Sequence, residues 1–82
     1  MDNKEKLEKL IYNLFNYRIP KENFGKSMFL EPMSINARNF FILFMEVEKE
    51  FSIRIPDNLI LERKIDTFDS MLGIINRLSA EE

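Results

Sequence analysis

The chain contains no cysteine and no histidine. Without cysteine it can form neither a disulfide nor a thiolate metal site, and nothing points to an oxidising compartment. Without histidine it lacks the usual general base near neutral pH and the commonest metal ligand. An enzyme built from this sequence would need a pair of carboxylates or a reactive lysine. Long apolar runs are missing as well. The longest unbroken one, Phe40 to Met45, has six residues, far short of the about 20 that span a bilayer. Positive charge is not in excess either. The formal net charge is -2, so binding nucleic acid through phosphate neutralisation has little support. The opening residues, Met1-Asp-Asn-Lys-Glu-Lys, are charged and lead into no signal-peptide apolar core. The expectation is a cytoplasmic protein with no metal, nucleic acid or membrane to bind.

What is present suffices for one domain over residues 1–82. The apolar fraction is 45% and includes eight phenylalanines, enough for a small core without a covalent staple. The chain is organised around Ser34–Phe51, the longest strongly apolar segment. On a helical wheel at about 100° per residue, Phe40, Leu43, Phe44, Val47 and Phe51 share one arc, spaced as a core face. Phe41, Ile42 and Met45 fall on the other side, with Arg38 and Lys49 beside them. A helix apolar nearly all round is either central in its fold or shared with a partner. The competing expectation is that Phe41, Ile42 and Met45 pack beneath a loop.

The rest of the chain reads as helices separated by breakers. Asp2 or Asn3 can cap a first helix. Its buried face is Leu7, Leu10, Ile11, Leu14 and Phe15, at the i, i+3, i+4, i+7, i+8 spacing. It should fade by Tyr17 or Arg18, because Pro20 disfavours helix at Ile19. Residues 17–33 are punctuated by Pro20, Gly25 and Pro32. They also carry Ile19, Phe24, Met28, Phe29 and Met33, so this loop should lie across the core. Ser34 and Asn36 are the candidate caps of the central helix. Ile53-Arg-Ile-Pro56 reads as an extended connector. Asp57 can cap a short third helix carrying Leu59, Ile60 and Leu61 and closed by Lys64 and Ile65. Asp66 or Thr67 caps the last helix, with Asp69 in its first turn. Phe68, Met71, Leu72, Ile75 and Leu78 line one face of it. Gly73 inside that helix costs up to about 1 kcal/mol relative to alanine. The fold expected is all-α, with three longer helices, one short third helix and a long first loop.

Val47-Glu-Lys-Glu-Phe51 followed by Ile55-Pro56-Asp57 resembles the segment after the prosthetic-group serine in acyl carrier proteins. The match runs without a gap from about Phe29 to Leu78. Phe29 and Met33 fall where that family keeps an apolar pair ahead of its serine. Ile65-Asp-Thr-Phe68 is similar to the segment that opens its last helix, and the first helix agrees in pattern. The resemblance implies an acyl-carrier-like four-helix bundle. In the family, a serine in Asp-Ser-Leu at the start of the second long helix carries 4'-phosphopantetheine.

The sequence departs from the family at that serine. The register set by Phe51 and Ile55-Pro56-Asp57 puts Asn36-Ala37-Arg38 where the family has Asp-Ser-Leu. Ala37 has no hydroxyl and cannot form the phosphodiester. No cofactor is therefore expected. A deliberate serine-to-alanine change would leave Asp and Leu around it, so the atypical Asn36 and Arg38 favour a naturally degenerate site. Ser34 is the one alternative attachment point. Its use would shift the site by three residues, and its ordinary role would be a helix cap. The outer helix face departs too. Arg38, Ile42 and Lys49 fall among positions often acidic or leucine in the family, while Glu46, Glu48 and Glu50 remain on the flanks.

The functional expectation is a binding module and not an enzyme. It would be an acyl-carrier-like domain without its prosthetic group, acting as a monomer. Such a domain would dock an enzyme of a biosynthetic or peptide-maturation system through Arg38, Phe41, Ile42, Met45 and Lys49. The alternative is a true carrier bearing 4'-phosphopantetheine at Ser34, or at a serine replaced by Ala37. Asp66 and Asp69, the one carboxylate pair at a helix start, are explained by capping.

Overall fold

Each long helix begins on a polar side chain that accepts a hydrogen bond from a free backbone N–H of the first turn. The structure, a computed structural model, describes residues 2–58 and 65–80. Helix α1 spans Asn3–Phe15, and Asp2 caps it by accepting from the Glu5 N–H at 2.8 Å. Helix α2 spans Ala37–Phe51, and Asn36 caps it by accepting from the Asn39 N–H at 2.8 Å. Helix α3 spans Phe68–Ala80. Its cap is Thr67, whose Oγ1 accepts from the Ser70 N–H at 3.0 Å. The Ser70 hydroxyl in turn accepts from the Thr67 N–H at 3.3 Å, a reciprocal arrangement with serine in the place of the usual glutamate.

Two helices end on left-handed residues. Asn16 has φ 54° and donates its N–H to the Tyr12 carbonyl at 2.7 Å. Asparagine tolerates this conformation, so α1 stops before Tyr17, earlier than the proline alone implies. Ser52 has φ 53° and closes α2 on the Glu48 carbonyl. The extended connector expected over 53–56 is present, with Ile53 and Ile55 buried. Asp57 and Asn58 carry helical backbone. The expected short helix through Leu59, Ile60, Leu61 and Lys64 otherwise lies outside the described residues.

Leu7 and Ile11 of α1 are buried, and α1 packs against both α2 and α3. The central helix among the described elements is thus α1, whereas α2 offers the core a single face. Leu43, Phe44, Val47 and Phe51 of that face are buried together with Phe68, Met71 and Ile75 of α3. Phe40, Leu10, Leu14 and Leu72, expected fully inside, are only partly covered and form the rim of the core. Ile19, Met28, Ile35, Ile53, Ile55 and Ile65 complete it from the loops. The charged side of α1 also covers apolar surface. The Lys6 ammonium lies 4.8 Å from the centre of the Phe51 ring and that of Lys4 5.5 Å from Phe24. The radius of gyration is 11.7 Å, the value expected for a packed chain of this length.

The long loop lies across the core, as its apolar content predicts. A 3₁₀ turn at Lys21–Asn23 brings Phe24 onto Phe68, with ring centres 4.2 Å apart and nearly parallel. Met28 donates its N–H to the Asp66 carbonyl at 2.7 Å, and Asp69 donates to the Phe24 carbonyl at 3.0 Å. Ser27 and Thr67 form an isolated antiparallel bridge beside them. Past the loop, Ser34 adopts φ 46° and donates its N–H to the Leu30 carbonyl at 2.9 Å. This turn directs Ile35 into the core.

Gly73 is exposed on α3, and a methyl group added there meets nothing within 4 Å. It marks no close helix contact. Gly73→Ala should therefore stabilise the protein by about 0.5–1 kcal/mol, because alanine loses less backbone freedom in a helix. A rise in the urea midpoint at unchanged slope is the expected reading.

Candidate recognition face

Helix α2 presents two different kinds of position to solvent. Its first turn carries what would be the attachment point, and its middle carries an apolar stripe. Asn36, as the cap, holds its side-chain oxygen against the Asn39 N–H. Ala37 is the first helical residue and is exposed, as is Arg38. No hydroxyl stands at this position. Ser34 lies before the helix, exposed, on its left-handed turn. Asn36 takes the capping role that Ser34 was also a candidate for.

Phe41, Ile42 and Met45 are 58%, 37% and 54% exposed. Phe41 and Met45 are open to solvent, and Ile42 stands at the edge where α2 meets the end of α1 and the loop. They form one stripe because residues three and four apart stack on one helical face. Arg38 and Lys49 stand at its two ends, both exposed, and among the described residues neither has an ion-pair or hydrogen-bond partner. The Phe41 ring leans on that of Phe44, with centres 6.1 Å apart, which ties the stripe to the core beneath.

The three glutamates of α2 have separate fates. The Glu48 carboxylate accepts a hydrogen bond from the Ile55 N–H at 2.8 Å, across the end of the helix. One of its oxygens holds the connector, and the carboxylate keeps its negative charge near the stripe. Glu46 is half-buried on one flank and Glu50 is exposed further round. Among the described residues, the positive ends of the stripe thus have no carboxylate bonded to them.

An open groove continues from Ile42 toward the end of α1. Leu14, Phe15, Tyr17, Met33 and Ile35 line it with Ile42, and Ser34 and Asn39 add polar edges. Phe29 and Leu30 add exposed apolar surface from the loop, and the Phe29 ring packs 5.0 Å from that of Phe40. Their exposure was not legible from residue order, because irregular backbone has no period from which a side can be read. Tyr12, 44% exposed, carries the Arg18 guanidinium 5.4 Å from its ring centre and so belongs to a separate patch.

Among the described residues no polar or charged side chain is buried. Among the same residues, no three carboxylates converge as a metal site would require. Asp66 contributes its backbone carbonyl to the loop, and Asp69 sits in the first turn of α3. No described helix is long and apolar enough to cross a membrane. In comparisons with family models, curated proteins and solved structures, nothing matches this chain.

Proposed function

We propose that the chain is an acyl-carrier-like binding module without a usable prosthetic-group serine, and that it docks an enzyme of a biosynthetic or peptide-maturation system. The observation carrying this reading is the combination on α2. Alanine occupies the first helical position, where the resemblance expects the serine, and an exposed apolar stripe follows within the next two turns. The order of elements supports it: a capped helix, a long loop laid on the core, a second long helix, the Ile55-Pro56-Asp57 connector and a last helix. The short helix of the four-helix arrangement would fall between Asp57 and Ile65. The module acts by presenting a surface, so it needs no general base and no nucleophile.

Incubation with a phosphopantetheinyl transferase and coenzyme A tests the chemical half of this reading. Intact mass spectrometry should show no gain of about 340 Da, the mass of the phosphopantetheine moiety, because residue 37 offers no nucleophile. An ordinary carrier domain in the same reaction should gain it. An adduct mapped to Ser34 would establish the alternative, a loaded carrier with a displaced attachment point.

A further inference from the structure

We propose that the exposed face of α2 takes a protein segment that is apolar at its centre and carries a carboxylate toward each end. This rests on reading the chain as a docking module and specifies the partner's chemistry. Arg38 and Lys49 lie on one arc of the helix, three turns apart, about 16 Å along the axis at the helical rise. Ile42 and Met45 lie between them with Phe41 alongside, and the groove beyond Ile42 is open to a further apolar side chain. Both cations are exposed and bond to none of the described residues. Glu48, the closest acidic residue to Phe41 on the wheel, is committed to the Ile55 N–H. A partner with carboxylates at matching spacing would satisfy both ends at once, and a basic partner would be repelled at both.

The same pattern argues against two other occupants. A second copy could bury the stripe best by running antiparallel, with Ile42 of one against Met45 of the other. That register sets Arg38 against Lys49 at both ends. A parallel pairing sets each cation against itself. Registers that slide off these leave part of the stripe uncovered. An anionic membrane would meet Arg38 and Lys49 of α2, with Glu46 on their flank and a net charge of -2 behind them, too little for strong surface attraction.

Two synthetic amphipathic helices test the proposal. They share one apolar face and differ only in carrying glutamates or lysines at its two ends. The glutamate peptide should shift the amide resonances of residues 38–49. It should bind at least about tenfold more tightly than the lysine peptide, with the margin shrinking in high salt. In the Arg38→Glu/Lys49→Glu double variant the preference should reverse while the thermal melt stays that of the parent. Equal affinity for the two peptides, or shifts confined to another face, would overturn the proposal. So would dimerisation in sedimentation with shifts on α2, which would make the occupant a second copy. Binding to phosphatidylserine vesicles in preference to the glutamate peptide would make it a membrane. The mass measurement is independent of all these. A phosphopantetheine adduct would remove the carrier-without-arm reading and leave the peptide preference standing. Loss of the preference would remove this partner chemistry and leave the mass result standing.

Discussion

Phe68→Ala is expected to lower the unfolding free energy by about 3–5 kcal/mol, most of the stability a domain of this size has. The Phe68 side chain is 1% exposed and stacks on Phe24 from the loop. Truncation would leave a cavity between loop and helix and remove an aromatic pair worth about 0.5–1.5 kcal/mol beyond its buried area. The position also follows directly on the Thr67 cap, so the backbone there has little freedom to collapse into the gap. Urea unfolding followed by circular dichroism would show the loss as a large fall in midpoint. A midpoint close to the parent's would mean that the loop is not seated on α3.

Ile42→Glu and Met45→Glu should have the opposite profile. Both residues point into solvent from the middle of a capped helix, and glutamate is a good helix former. Stability should stay within about 0.5 kcal/mol of the parent. Affinity for the glutamate-ended peptide should fall by about thirtyfold or more for each, the loss typical of an interface anchor worth about 2 kcal/mol. The introduced carboxylates would also face those of the peptide. If either variant unfolded the protein, the stripe would be core and the docking surface would not exist. Retained affinity in a folded variant would place recognition elsewhere.

The helices were legible because their signals are local. Asp2, Asn36 and Thr67 are caps by side-chain chemistry, and the faces of α1, α2 and α3 repeat with the helical period. The wheel separated Leu43, Val47 and Phe51, which are buried, from Phe41, Ile42 and Met45, which are not. It did not say whether a loop would cover the second set, because coverage depends on where residues 17–33 travel, and no period fixes that. Of the two readings of an all-round apolar α2, central or shared with a partner, the wheel alone could not choose. Composition measures how apolar a helix is, whereas centrality depends on its neighbours, and α1 holds that place with fewer aromatics. Ser34 shows the limit at a single residue. A serine just ahead of an apolar helix is a natural cap, but Asn36 is nearer to the first free N–H groups and leaves Ser34 to turn the chain. Glu48 shows another: its charge was visible in the sequence, and its partner, a backbone N–H seven residues on, was not.

The seam between the long loop and the start of α3 has a consequence for cooperativity. Met28 donates to Asp66 and accepts from Ile35, while Asp69 donates to Phe24. The bonds from Met28 to Asp66 and from Asp69 to Phe24 join segments far apart in sequence, and neither can form until α3 has docked. The loop has little regular structure of its own to hold it in place, so its order is borrowed from that docking. Loosening of α3 and release of the loop are therefore one sub-global opening event. Hydrogen exchange at the Met28 and Asp69 amides would report that single opening, and the loop, irregular as its backbone is, would be as protected as the helix it seals.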